Sequence, residues 1–238
     1  MELHTSNTPT QGAARRLSKL LDEYKARDVL LLLSGGSALT LLDRVDTTPM
    51  SERVTISLLD ERYTFDESVS NFSQLTKTAF YERAAKQHVH VIDPRPREGE
   101  GLLDTAKRFD LALKHWHITH HNGVVLATMG VGSDGHTAGI LPFPNNPETF
   151  EERFGAKHRC AVGYHVDPRV NPHTDRVTVT STYLVRHADH AIVYATGEEK
   201  RTALEAVLAE EGSLHVTPAR ILCTMRDVAL YTDLTLTH

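Results

Sequence analysis

A continuous aliphatic segment, Val29 to Leu33, restricts the possible folds of this chain more than any other feature. It reads Val-Leu-Leu-Leu-Leu, so apolar and polar positions do not alternate along it. Such a run is typical of a strand that is buried on both faces of a parallel sheet. Four small residues, Ser34-Gly35-Gly36-Ser37, follow it and favour a tight turn. The segment therefore predicts an interior strand of a parallel sheet with a loop at its carboxyl end.

Strand and helix patterns alternate along the rest of the chain. Further strand candidates are short apolar runs at residues 54–59, 89–92, 124–129, 160–166, 177–182, 191–195 and 228–231. Helix candidates lie at residues 10–24, 38–42, 102–116 and 198–209, and another begins at Asn71, with Gln74 positioned for a capping box. Because strands alternate with helices, we expect an α/β fold with a mainly parallel sheet flanked by helices. No repeat or convincing linker interrupts the pattern, so we expect one domain over residues 1–238.

The charge balance restricts the partners of the chain. It has 26 basic and 31 acidic residues, a formal charge of −5, and its 40% of hydrophobic residues is ordinary for a soluble globular protein. A mildly acidic chain has no global attraction to nucleic acid or to an anionic membrane, and no aliphatic run approaches the ~20 residues that span a bilayer. We therefore expect neither a nucleic-acid partner nor a membrane, and an anionic ligand would need a local site.

The N-terminus and the cysteines indicate the compartment. The first five residues lack the basic start and apolar region of a secretion signal. Cys160 and Cys223 lie in apolar, strand-like segments without metal-type spacing, so we expect both to be reduced core residues. These features predict a cytoplasmic protein.

Four histidines, His115, His117, His120 and His121, cluster near the end of a predicted helix. Only His117 and His121 have the i, i+4 spacing of helical metal ligands, and no acidic residue lies among the four. We expect a solvated helix end, where partial cationic character is favourable, rather than a metal site. The sequence predicts no metal and no cofactor.

The loop Ser34-Gly35-Gly36-Ser37 is the first of three loops that follow predicted strands, where open α/β sheets bind ligands. Glycines permit close approach of a ligand, and N–H groups at a helix start favour phosphate. A plain strand-to-helix turn has the same composition, so both interpretations stand at this point. The loop lacks the Gly-Lys-Ser/Thr ending of a nucleotide triphosphatase.

The second loop carries Asp60-Glu61-Arg62, with Ser70-Asn71 ten residues later. The arginine can bind a phosphate through two parallel hydrogen bonds. A carboxylate that faces the same cleft can transfer protons. The alternative interpretation is a solvated turn followed by a helix cap.

The third loop, residues 130–138, reads Gly-Val-Gly-Ser-Asp-Gly-His-Thr-Ala. It matches the glycine pattern of dinucleotide-binding folds, but Pro142 leaves no room for the long helix that those folds require. Its distinctive feature is Asp134 beside His136, because a carboxylate can orient an imidazole for general acid or base catalysis. Further along, Lys200 lies near a predicted helix start, where its charge favours a bound anion unless it simply extends into water.

Together, these segments and their order resemble the 6-phosphogluconolactonases, which share a fold with the glucosamine-6-phosphate isomerase/deaminases. The resemblance covers roughly residues 30–205, and Asp-Gly-His-Thr-Ala is its most specific part. It also includes Arg176-Val-Thr-Val-Thr and Gly197-x-x-Lys200. The resemblance implies the modified Rossmann-like sandwich of the isomerase/lactonase/CoA-transferase type and hydrolysis of 6-phosphogluconolactone to 6-phosphogluconate in the pentose phosphate pathway.

The resemblance also implies the residue roles. His136 would be the general base and acid, with Asp134 as its neighbour. Gly36 and Ser37 would hold the phosphate with Arg62 and Lys200. The other implied binding residues are Ser34, Gly35, Asp60 and Arg176. The partner would be a small sugar-phosphate substrate, and the protein a monomer or homodimer.

Two departures from the family pattern bear on the substrate. The first loop continues Ser37-Ala38-Leu39, and the third continues Gly139-Ile140-Leu141-Pro142. The deaminases carry a glutamate shortly after the third loop, which this chain lacks, so the departures disfavour deaminase activity. A non-catalytic sugar-phosphate-binding module is the other alternative, although such modules usually follow a helix-turn-helix, for which the N-terminal segment has no room.

Overall fold

The computed structural model describes residues 1–169 and 171–236. The strands in chain order are β1 Glu2–Thr5, β2 Val29–Leu33, β3 Val54–Leu58, β4 Asp60–Arg62, β5 His90–Val91, β6 Val124–Met129, β7 Ala161–His165, β8 Asp175–Val179, β9 His190–Tyr194 and β10 Asp227–Thr232. The α-helices are α1 Pro9–Glu23, α2 Asn71–Thr76, α3 Ala79–Ala85, α4 Leu102–Thr119, α5 Pro147–Phe154, α6 Ser181–His187 and α7 Arg201–Leu208. Three 3-10 helices complete the described elements, at Gly36–Arg44, Glu198–Lys200 and Pro218–Cys223.

Seven strands form a parallel sheet in the order β1-β10-β9-β6-β2-β3-β5. The sheet separates two hydrophobic clusters. Leu30 and Leu32 belong to one cluster, and Leu31 and Leu33 belong to the other. Both faces of β2 are therefore covered, which is why this strand needs an apolar side chain at every position. The predicted α/β fold with a mainly parallel sheet is confirmed.

A second, antiparallel sheet has the order β4-β8-β7 and continues from the end of β3. Leu59 joins the two sheets, because its N–H donates to the carbonyl of Leu33 and its own carbonyl accepts the N–H of Val179. In the second sheet, Arg62 lies directly opposite Arg176. The small sheet thus holds two arginines beside the carboxyl end of the large sheet.

Several local predictions are wrong. Residues 177–182 were expected to be one strand, but β8 ends at Val179, and the Thr180 side chain accepts the N–H of Tyr183 to begin α6. Residues 198–209 divide into a 3-10 helix and α7, and the expected helix at residues 38–42 is a 3-10 helix. The cap of α2 uses the Ser70 hydroxyl and the Ser73 N–H, whereas Gln74 donates to the carbonyl of Ser68. The elements that the sequence did not predict are β1, β4, α3, α5, α6 and the 3-10 helix at Pro218–Cys223.

The cysteines differ in burial. Cys160 is buried, as expected, but Cys223 ends a 3-10 helix and is exposed, so its assignment to the core is wrong. Both are free thiols. Within the described ranges, no helix has the length and apolar character needed to cross a membrane.

Candidate active site

A cleft of about 290 Å³ opens beyond the carboxyl ends of β2, β3, β6 and β9. Nine of the ten predicted site residues line it: Ser34, Gly35, Gly36, Ser37, Asp60, Arg62, His136, Arg176 and Lys200. The tenth, Asp134, contacts His136 from outside the cleft lining. The structure therefore brings together segments that are up to 166 positions apart, as the carboxyl-end rule predicts.

The first loop passes close to Asn71. A Cβ atom at position 35 would overlap the carboxamide of Asn71, so only glycine fits there. Gly36 has a φ of +64°, a conformation that glycine adopts without strain, and it begins a 3-10 helix. The backbone N–H groups at this helix start lie at the cleft, where they favour an anion.

Two arginines and one carboxylate form the opposite wall. Asp60 is buried and lies 3.5 Å from Nη1 of Arg176. Nη1 of Arg62 donates to the carbonyl of Val69 at 2.7 Å. Burial lowers the pKa of Arg62, and the nearby Arg176 lowers it further, while Asp60 opposes both effects. A guanidinium group remains protonated in proteins, so this wall carries two cations beside one anion.

Glu61 does not face the cleft, because it holds the start of α2 in place. One of its carboxylate oxygens accepts the N–H groups of Arg62 and Asn71, both at 2.7 Å. The other accepts the N–H of Phe72 at 2.7 Å and the Ser70 hydroxyl at 2.9 Å. Burial raises the pKa of Glu61, and these hydrogen bonds oppose the increase. The carboxylate thereby fixes Asn71 and Arg62 at the cleft.

We expect Glu61→Gln to lower the free energy of unfolding by about 2–4 kcal/mol, because the amide group cannot accept hydrogen bonds from two of the four donors. Urea denaturation of both proteins measures the difference. Glu67→Gln is the matched control, since this exposed carboxylate forms a surface ion pair with Lys77, 3.5 Å away, and should change stability by less than about 0.5 kcal/mol. Equal losses in both variants would contradict the anchoring role of Glu61.

Asp134 and His136 form the hydrogen-bonded pair that the sequence predicted. Nδ1 of His136 lies 2.5 Å from Oδ1 of Asp134, which also accepts the backbone N–H of His136 at 3.1 Å. Burial alone would raise the pKa of Asp134, but its hydrogen bonds and charge interaction with His136 lower it overall. The carboxylate therefore keeps a proton on Nδ1 and leaves Nε2 as the basic nitrogen. Gly132 makes room for the pair, because a Cβ atom there would overlap both side chains.

Three buried side-chain atoms in the described ranges have no hydrogen-bond partner: Nε of Arg62, Oδ1 of Asn71 and Nε of Arg176. All three belong to residues that line the cleft. Buried polar groups are normally paired, and unpaired ones concentrate at functional positions. The cleft therefore combines unpaired polar atoms, three cationic side chains and an imidazole that a carboxylate orients. The cations suit an anionic ligand, and the imidazole can transfer protons.

Sequence reasoning missed one wall of the cleft, formed by Asn171, Pro172 and His173. This loop between β7 and β8 has no periodic pattern and no glycine-rich motif. The sequence hint of a binding role in this loop was the presence of Asn171 and His173, whose side chains can both hydrogen-bond a ligand.

The four histidines of the cluster differ in burial and in their contacts. No group of three or more potential metal ligands occurs within residues 1–169 and 171–236. His115 and His121 are exposed as predicted, but His117 is partly buried and lies 3.1 Å from the hydroxyl of Tyr183. Burial lowers the pKa of His117 to about 4, so the expectation of a solvated, cationic helix end is wrong for this residue.

The fold and the cleft define an α/β protein with a hydrogen-bonded Asp–His pair and a cationic wall at the carboxyl end of a parallel sheet. Residues 5–231 match the sequence profile of a family described as glucosamine-6-phosphate isomerases/6-phosphogluconolactonase. The chain belongs to this family, which confirms the resemblance seen in the sequence.

Curated relatives support the same family. A 6-phosphogluconolactonase from Homo sapiens is 30% identical, over 84% of this chain and 76% of that protein. A 6-phosphogluconolactonase from Mesorhizobium japonicum is 28% identical, over 82% of this chain and 77% of that protein.

Solved structures show the same fold. The crystal structure of 6-phosphogluconolactonase from Leishmania guyanensis has a TM-score of 0.72 and 25% identity, covering 97% of this chain and 95% of that one. A monomeric glucosamine-6-phosphate deaminase also matches, with a TM-score of 0.70 and 18% identity over 98% of this chain and 97% of that one. Both activities therefore occur on this fold, and the site residues must decide between them.

Proposed function

We propose that the protein hydrolyses 6-phospho-D-glucono-1,5-lactone to 6-phosphogluconate, a step of the oxidative pentose phosphate pathway. The observation that carries the proposal is the Asp134–His136 pair, whose imidazole lines one cleft with Arg62, Arg176 and Lys200. A lactone that bears a phosphate needs a base at one end and cations at the other. The curated relatives named 6-phosphogluconolactonase add independent support.

In the proposed mechanism, Nε2 of His136 removes a proton from water, and the oxygen of that water attacks the lactone carbonyl carbon. The tetrahedral intermediate then breaks its bond to the ring oxygen, which receives the proton from His136. Asp134 stabilises the imidazolium ion between the two steps. Hydrolysis yields the open-chain acid and a free hydroxyl group.

The oxyanion of the intermediate needs a hydrogen-bond donor, and backbone N–H groups of residues 130–135 are the candidates. The N–H of Gly132 donates to the carbonyl of His136, and the N–H of Gly135 donates to that of Gly132. Val131 lies between these glycines and the strand end, and it lines the cleft. We assign its backbone N–H as the oxyanion donor.

The substrate phosphate would lie at the start of the 3-10 helix, against Gly36 and Ser37, with Arg62 and Lys200 as its cations. Ser34 and Gly35 shape this loop. Asp60 fixes Arg176 in the wall. The site as proposed needs no metal or other cofactor, because His136 supplies the base and the substrate supplies its own leaving group.

The deaminase alternative is less well supported. After the third loop this chain has Ile140-Leu141-Pro142, and both aliphatic side chains are buried in the core and lie outside the cleft lining. No carboxylate occupies the position at which deaminases carry their glutamate.

We further propose one domain over residues 1–238, because both hydrophobic clusters pack against the same sheet. The two free cysteines fit a reducing compartment such as the cytoplasm. We propose a monomer or homodimer that acts on a small sugar phosphate, without nucleic-acid or membrane partners.

A coupled assay tests the proposed activity. Enzymatic oxidation of glucose 6-phosphate generates the lactone in place, and the protein should accelerate its hydrolysis well beyond the spontaneous rate in a control without protein. Release of ammonia from glucosamine 6-phosphate, with no lactone hydrolysis, would instead establish a deaminase. A sugar phosphate that raises the melting temperature without either reaction would indicate a binding module.

A further inference from the structure

His173 places a second imidazole in the cleft lining. Its loop is hydrogen-bonded to Arg176 through Asn171. Oδ1 of Asn171 accepts the backbone N–H of His173 at 2.9 Å and Nη2 of Arg176 at 3.0 Å. A single carboxamide oxygen therefore sets both the loop conformation and the guanidinium position. The half-buried His173 is held in the wall rather than extended into solvent.

The surroundings of His173 are predominantly cationic. The charged and titratable groups that face the cleft are Asp60 and Arg62 on β4, Arg176 on β8, His136 after β6 and Lys200 after β9. Burial, followed by the charges of Arg62 and Arg176, lowers the pKa of His173. Both effects favour the neutral imidazole near pH 7.

An anionic ligand would instead favour the protonated form of His173. Arg62 and Arg176 each keep a buried Nε atom without a partner in the described ranges, so their charges are incompletely satisfied by the protein. A dianionic phosphate at Arg62, in the cleft that Arg176 also lines, would offset the repulsion that keeps protons off His173. The same phosphate oxygens would accept a hydrogen bond from the imidazole, which is stronger when the donor is charged.

We propose that His173 is a positioning residue that hydrogen-bonds the substrate phosphate beside Arg62 and Arg176, and that it takes up a proton from solvent when the phosphate binds. The inference rests on the proposed function, which supplies the phosphate. His136 remains the catalytic imidazole. Substrate binding then becomes weaker as the pH rises above neutrality, because the free energy of binding includes protonation of His173.

Isothermal titration calorimetry with 6-phosphogluconate, the stable product, tests this inference. Titrations near pH 7 in two buffers of different ionisation enthalpy give the number of protons taken up. We expect His173→Gln to abolish the uptake attributable to the imidazole and to weaken binding about tenfold. KM for the lactone should rise by a similar factor, whereas kcat should stay within about a factor of three.

His165→Gln is the matched control, because this exposed histidine pairs with Asp175 at 2.8 Å and lies outside the cleft lining. It should leave affinity and proton uptake unchanged. His173→Asn provides a second neutral replacement, and circular dichroism checks the fold of each variant. If His173→Gln and His173→Asn both keep the affinity and proton uptake of the wild type, the inference is overturned while the proposed function stands. A wild-type protein that does not bind 6-phosphogluconate would overturn the proposed function and this inference with it.

Discussion

Replacing His136 with alanine should lower kcat for lactone hydrolysis at least about a hundredfold, because positioned proton transfer typically contributes 10²–10⁴-fold. The variant loses the base that activates water and the acid that protonates the ring oxygen. It keeps Arg62, Lys200 and the 3-10 helix start, so 6-phosphogluconate should still bind. Initial rates, corrected for spontaneous hydrolysis, give kcat, and calorimetry gives the affinity.

His121→Ala is a suitable control for this experiment, because His121 is exposed and lies beyond the end of α4. It should retain wild-type kcat. A His136→Ala protein that folds, binds the product and turns over within about tenfold of the wild type would refute the assigned base.

The sequence predicts the large sheet well because burial on both faces leaves a strong signal. In β2 and β3, every residue is buried, and the apolar runs locate both strands to within one residue. The edge strand β1 has no such signal, since Glu2 and Thr5 are exposed. The error at residues 177–182 has a different cause. Thr180 has a high β-propensity, but its hydroxyl caps α6, and this side-chain hydrogen bond outweighs the propensity.

The candidate site also has parts that the sequence predicts and parts that it does not. Its glycine loops, Asp134 and His136 are short-range motifs, and the carboxyl-end rule brings them together without knowledge of packing. Asn171 and His173 reach the cleft only because β7 and β8 form a second sheet, which the sequence did not predict. The sequence also did not reveal the role of Glu61, because that role depends on accepting N–H groups ten and eleven residues away.

Gly132→Ala should be almost as damaging as loss of the imidazole itself. A Cβ atom at this position would overlap Nδ1 of His136 and Oδ1 of Asp134, so the pair must separate or move. A displacement of about 1 Å at a catalytic group can cost about a hundredfold in rate, and we expect kcat/KM to fall by that order. Gly101→Ala is the control, because this glycine lies at the start of α4, and a Cβ atom there would approach only Asp104 among the described residues, at 3.4 Å.

A double variant separates a catalytic effect of Gly132 from a general loss of structure. If the alanine acts by displacing the pair, adding it to His136→Ala should lower the rate little further, because the group that it displaces is already absent. If it acts by disrupting the loop as a whole, the two losses should multiply and the melting temperature should fall. Multiplicative losses would therefore show that Gly132 serves the backbone of residues 130–135 rather than the Asp134–His136 pair.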